Sequence, residues 1–175
     1  MSIVAVGCDP GMDGAIAITV DTRPVRIFPM PTTTLTRRSN GRTRNLRSTD
    51  IDAATRLIQL AADYCDPGAD PIVCIEKVAG RPGEAAGGAF RFGECYGALC
   101  SAASTLAWVW TVVTPQVWKP AVGLPVGSTK DDSRQLAQEL WPDAADKFRR
   151  KKDHGAADAC LIAKWRTDTI TGDTT

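Results

Sequence analysis

Two apolar runs that each end on a carboxylate dominate the pattern of this chain. Ile3-Val4-Ala5-Val6-Gly7-Cys8 leads into Asp9, and Ile72-Val73-Cys74-Ile75 leads into Glu76. Near-continuous apolar character over so few residues marks strands buried on both faces, and the second run reads as a central strand. After Asp9 comes the turn Pro10-Gly11-Met12-Asp13-Gly14, then Ala15 to Val20 as a second strand and Val25 to Phe28 as a third. The connections are short enough for an antiparallel meander. Residues 30–48 are polar, rich in Thr and Arg and without periodicity, which predicts a mobile surface loop.

Helical spacing takes over next. Ala54, Leu57, Ile58 and Ala61 recur on one face, Ser48 or Thr49 can cap the helix, and Asp66-Pro67-Gly68 stops it. The Gly- and Ala-rich stretch 79–89 reads as a flexible loop. A second helix is expected from about Ala89 to Ser104. Its small residues Gly93, Gly97 and Ser101 allow close approach by the sheet or by a partner subunit. Ala107 to Val113 is the next strand. Ser128 starts another helix, with Asp131 completing an approximate capping box, and Trp141-Pro142 ends it. The last helix is expected from near Asp153 to about Trp165, followed by a short Thr-rich disordered tail. The order is β-β-β-α-β-α-β-α-α: one domain over residues 1–166 and a flexible tail over 167–175.

Composition fits this outline. A chain of 175 residues with 43% hydrophobic content can bury a core as one α/β domain without disulfides. Six cysteines occur with no C-x-x-C pair, and His154 is the single histidine, which disfavours zinc and points to reduced thiols in an intracellular, cytoplasmic protein. No apolar stretch approaches the ~20 residues of a membrane span.

The net charge of +1 hides two basic blocks. Arg37, Arg38, Arg42, Arg44 and Arg47 form one; Lys147, Arg149, Arg150, Lys151 and Lys152 form the other. Neither contains an acid. Either block alone could be a solvated face, but the two together point to a polyanionic partner.

The acids supply the chemistry. Carboxylates at the ends of buried strands cost desolvation energy unless a cation meets them. Several converging would hold Mg²⁺ or Mn²⁺, which prefer hard oxygen ligands. Two such ions about 4 Å apart can activate water and stabilise the leaving oxygen in phosphodiester hydrolysis. Asp9 and Glu76 would end neighbouring strands, and Asp158 would dock beside them from the last helix. His154 lies four residues before Asp158 and so shares its helical face. Asp153 is either a ligand or the N-cap. Lys119, beside Trp118, and Lys130 fall after the fifth strand, where they could hold phosphates. Plain alternatives exist: Asp9 as a turn residue, Glu76 as a surface neighbour of Lys77, His154 as a satisfied or exposed histidine, and both lysines as ordinary loop residues.

With these residues in order, the chain resembles the RuvC-type Holliday junction resolvases of the RNase H-like superfamily, especially the divergent forms of phages. The matching pieces are Gly7-Cys8-Asp9-Pro10-Gly11, Ile75-Glu76-Lys77-Val78, Ala89 through Gly97, Thr114-Pro115 through Lys119, Ser128-Thr129-Lys130, and Lys152 through Ala159. Together they span roughly residues 3–165. The resemblance implies an RNase H-like α/β fold with a five-stranded mixed sheet flanked by helices. It also implies a homodimer and Mg²⁺-dependent symmetric nicking of four-way DNA junctions, with Mn²⁺ substituting. By position Asp9, Glu76 and Asp158 become metal ligands. Lys119 and Lys130 become the basic residues beside the scissile strand.

Two departures accompany the resemblance. The common bacterial spacing would put a further ligand at 155, which is Gly155 here. Asp153 or His154 must take its place, and Asp153 with His154 assisting is the favoured reading. Bacterial members also place an aromatic wedge after the strand acid. Here Ala79 stands there, followed by Gly80-Arg81-Pro82-Gly83, so Arg81 or Phe90 would take part of that role, with broad selectivity for branched DNA. The turn Asp9 to Gly14 also looks like the first phosphate loop of actin-like phosphotransferases, but a single domain without a second such loop disfavours that reading. A non-catalytic DNA-binding or scaffolding descendant is the other alternative. The sequence leaves junctions, flaps and RNA–DNA hybrids open as targets.

Overall fold

The computed structural model describes residues 1–39, 41–80, 83, 85–125 and 127–173. Strands β1 (Val4–Asp9), β2 (Ala15–Val20) and β3 (Arg23–Pro29) form the antiparallel meander that their short connections require. β6 (Ile72–Glu76) then pairs in parallel with β1, and β7 (Trp110–Val113) in parallel with β6. The resulting mixed sheet has the order β3-β2-β1-β6-β7. Cys8 stands opposite Ile75 in the β1–β6 register, so the carboxyl ends of both parallel strands, at Asp9 and Glu76, open on the same edge. Ligands of open α/β sheets bind outside such ends.

Alternating side chains divide the core into two layers. Val4, Val6, Cys8, Ile16, Ile18, Val73 and Ile75 pack against α1 (Ile51–Gln59) and α2 (Ala86–Thr105) through Ala54, Ile58, Cys95 and Leu99. Ala15, Ala17, Cys74 and Val113 belong to the other layer. There they meet α3 (Pro115–Ala121), α4 (Lys130–Leu140) and α5 (His154–Thr171) through Trp118, Ala137, Ala159, Leu161 and Ile162. Helix α5 presses directly on β1. A β-carbon placed on Gly7 would lie 2.0 Å from the Ala159 carbonyl oxygen, so only glycine lets this helix reach its depth.

The largest departure from the expected outline is at 30–48. In place of a mobile loop stands a separate two-stranded hairpin, β4 (Thr32–Ser39) against β5 (Arg42–Thr49). Threonine is a strong strand former, and Gly41 adopts the positive φ of 71° that tight hairpin turns use. The hairpin lacked an alternating apolar signal because it forms no layer of the main core. Its anchors are polar: the Ser48 hydroxyl donates to Glu94 on α2 at 3.1 Å, and Arg47 bridges Asp13 and the Met12 carbonyl.

Smaller differences are local. Asp50, not Ser48 or Thr49, caps α1, because the latter two are committed to β5. The capping box of α4 sits one residue later, between Thr129 and Asp132. The segment carrying Trp118 and Lys119 is a helix rather than a loop, with Pro115 in its first turn. Helix α5 continues past residue 166 to Thr171 and stops at Gly172 with φ 80°; Thr167 is buried, so a flexible tail does not begin at 167. All six cysteines are free thiols, and among the described residues no helix is long and apolar enough to cross a membrane.

Candidate metal and nucleic-acid site

Three elements deliver the site. β1 ends on Asp9, β6 ends on Glu76, and the first turn and a half of α5 carries His154 and Asp158. Ligand-capable atoms of Asp9, His154 and Asp158 all lie within 4.8 Å of one another. The two aspartates are each only 9% exposed. Glu76 is held beside this group by the Trp118 indole, whose Nε1–H donates to Glu76 Oε2 at 2.7 Å. Asp9, Glu76, His154 and Asp158 share the wall of a cleft of about 760 Å³ with Lys119, Lys130, Arg91 and Phe92.

The electrostatics follow from crowding acids in a dry place. Burial pushes the Asp9 carboxyl well above the usual carboxylate range, and the charges of Asp158 and Glu76 push it further; Lys130 and Lys119 pull the other way. Burial also raises Asp158, against the Ser133 hydroxyl, Lys119, His154 and Lys130. Burial and the Lys130 ammonium hold His154 below its ordinary value, which keeps it neutral near pH 7. Lys130 Nζ lies 3.1 Å from His154 Nε2. Asp158 Oδ1 and His154 Nδ1 are buried without a hydrogen-bond partner. A buried carboxylate oxygen without a partner among like-charged acids is what a divalent cation satisfies, and the carboxylate oxygens that dominate this set suit Mg²⁺ or Mn²⁺.

Asp153 is placed differently. It sits in a short 3-10 turn ahead of α5, 7% exposed, and accepts from the Arg150 backbone N–H at 2.8 Å and from the Arg150 guanidinium at 2.9 and 3.1 Å. Burial alone would raise its carboxyl, but the Arg150 hydrogen bonds and charge hold it below the usual range. It faces a neighbouring cleft of about 990 Å³ that Arg47, Arg149, Arg150 and Lys152 also line. Gly155 occupies the remaining position where an acid might have stood. A β-carbon there would lie 2.5 Å from the Asp13 carbonyl oxygen and 2.8 Å from the Gly14 Cα, so backbone contact with the first turn reserves the position for glycine.

The basic residues divide into groups. Lys119 and Lys130 line the acidic cleft. Arg38 and Arg42 are exposed on the hairpin, where Arg37 and Arg44 stand opposite each other across the two strands. Arg47 is partly neutralised by Asp13, and Arg150 by Asp153. Arg149 and Lys151 are exposed, and Arg81 lies outside the described residues. Phe90 is 74% exposed at the start of α2. Sequence reasoning named Trp118 only as the neighbour of Lys119. Its one visible signal was a large aromatic three residues after a helix-opening proline, which does not say that the indole would reach Glu76.

An RNase H-like α/β fold with an acidic cluster at the carboxyl edge of its parallel strands defines the class of this protein. Within it, the chain has the RuvC fold. A RuvC of Thermus thermophilus in complex with a Holliday junction substrate matches with a TM-score of 0.58 at 15% identity, covering 97% of this chain and 96% of that one. A second Thermus thermophilus RuvC structure matches with a TM-score of 0.56 at 17% identity, covering 97% of each chain. By sequence, the chloroplastic Holliday junction resolvase MOC1 of Chlamydomonas reinhardtii is 48% identical over 48 residues, which is 27% of this chain and 5% of that protein. No family model matches the chain.

Proposed function

We propose that this protein is a metal-dependent endonuclease that resolves Holliday junctions and related branched DNA by nicking the phosphodiester backbone. The observation that carries the reading is the convergence of Asp9, Asp158 and His154 within 4.8 Å beside Glu76, Lys119 and Lys130. The RuvC-like fold and the sequence kinship with a junction resolvase support it. Asp9, Asp158, His154 and Glu76 would hold the ion, Mg²⁺ or Mn²⁺, with His154 rather than Asp153 completing the set because Arg150 already engages the Asp153 carboxylate. Bound there, a divalent ion supplies a more acidic water and a Lewis acid for phosphoryl oxygens. The chain's own residues do the rest. Lys119 and Lys130 draw the scissile phosphate against the acids. Neutral His154 avoids adding a positive charge where cations must gather. The buried walls of β1 and α5 keep the carboxylates rigid. A homodimer would present two such sites to two opposed strands.

Selectivity is the direct test. With Mg²⁺, an immobile four-way junction is expected to be nicked in preference to linear duplex, a flap and an RNA–DNA hybrid, with symmetric products on a denaturing gel. Equal cutting of linear duplex, or no cutting of any of them, would overturn the proposal.

The raised carboxyls fix the sign of a pH effect. Asp9 and Asp158 are partly protonated in the ion-free protein at pH values where free aspartate is not, and an ion binds the deprotonated form. Ca²⁺ binding is therefore expected to release protons and to strengthen as pH rises through the raised values. Calorimetry in buffers of different ionisation enthalpy measures this directly; proton uptake would contradict it.

The hairpin is assigned to the DNA backbone. Replacing exposed Arg38 and Arg42 together by Ala should reduce the slope of log affinity against log salt by up to about 2, near 0.9 for each lost phosphate contact. An unchanged slope would remove the hairpin from the interface.

A further inference from the structure

We infer that Trp118 is a positioning residue that sets the orientation of both Glu76 and Lys119 from inside the core. The inference rests on the nuclease reading above and adds a residue which that reading does not use. Trp118 is fully buried on α3, in the same cluster as Val113, Val122 and Leu124. Its Nε1–H donates to Glu76 Oε2 at 2.7 Å. Its ring also lies 5.4 Å from Lys119 Nζ, within the range of a cation–π contact.

The physical argument starts from the indole. It has one donor, and a buried donor must find an acceptor or forfeit its hydrogen bond. Packing fixes the ring plane, so the N–H direction is fixed as well, and Glu76 must bring its carboxylate to it. Glu76 ends a strand on a stem of three torsions, and the indole fixes where its Oε2 lies. A neutral donor orients without neutralising. An Arg or Lys in the same place would compete with the cation for Glu76, as Arg150 does for Asp153. Groups that hydrogen-bond a ligating carboxylate typically change metal affinity or activity 10–100-fold when removed. The same ring face holds the Lys119 ammonium, so one core side chain aligns an acid for the ion and a cation for the phosphate.

Trp118→Phe separates the two roles, because it keeps an aromatic face for Lys119 and deletes the N–H. Expected for this variant are roughly tenfold weaker Ca²⁺ binding by calorimetry and a similarly raised Mg²⁺ concentration for half-maximal junction cleavage. The junction KM at saturating Mg²⁺ should stay unchanged, and excess Mg²⁺ should restore the rate. Unaltered Ca²⁺ affinity and Mg²⁺ half-saturation in the folded variant would overturn the inference. Should the smaller ring unfold the protein, site-specific benzothienylalanine at 118 keeps the indole shape with sulfur in place of N–H, and the same two readouts decide. Wild-type protein that neither binds Ca²⁺ nor cuts the junction would instead sink the nuclease reading itself.

Discussion

Asp9→Asn and Asp158→Asn are each expected to abolish cleavage and, in EDTA, to melt at a higher temperature than the wild type. The two effects share one cause. Asp9 is buried against Asp158 and Glu76, and burial and those charges raise its carboxyl. A carboxyl whose folded-state pKa is raised leaves the fold at full stability below the ordinary aspartate value and costs it stability as pH rises from there through the raised value. Above the ordinary aspartate range the wild type therefore bears a cost, as buried charge or as a proton held against the solution, that asparagine lacks. Each kcal/mol relieved raises the midpoint of a domain this size by about 2–4 °C. Activity moves the opposite way, because metal stabilisation of the transition state is worth several kcal/mol, or about 10³-fold in rate at 1.36 kcal/mol per tenfold. Mg²⁺ should raise the wild-type midpoint more than that of either variant. A variant that is inactive because it is unfolded, or one that melts lower in EDTA, would contradict the carboxylate-cluster account.

Gly155→Asp is the second large effect, and its direction is opposite to what the family spacing invites. An acid at 155 would restore the common bacterial pattern on paper. In this molecule the new β-carbon would enter the backbone of the first turn, 2.5 Å from the Asp13 carbonyl oxygen. Neither partner is a flexible side-chain end, so α5 or the Asp9–Gly14 turn must move, and both carry site residues. The expected result is a loss of about 3 kcal/mol or more, seen as a midpoint lower by ~6–12 °C, with no gain in cleavage. A stable variant with higher activity would mean that α5 docks less tightly than Gly7 and Gly155 indicate.

The contrast between these two positions explains what the sequence made legible. Asp9 and Glu76 were readable because each ends a buried run, and parallel pairing puts such ends on one edge. Asp158 was readable because a charge among Ala157, Ala159 and Cys160 needs a partner. Between Asp153 and His154 the sequence favoured Asp153, with His154 assisting, without deciding the matter. That choice depends on a 3-10 turn over Lys151–Asp153, where Arg150 captures the Asp153 carboxylate before α5 begins with His154. Such a turn has no periodicity of its own. The hairpin was hidden for a different reason. Among the described residues β4–β5 gives no apolar side chain to the main core, so the alternation that usually announces a strand was absent, and only the threonines and Gly41 pointed to it. The Trp118–Glu76 contact joins residues 42 apart and exists only after β6, β7 and α3 have packed.

The site assignment is tested most directly by an anomalous difference map from crystals of the protein soaked in Mn²⁺. The account predicts a peak bonded to Asp9, Asp158 and His154, close to Glu76, and separate from Asp153. A map with no ion there, or with the ion on Asp153 in the neighbouring basic cleft, would contradict it.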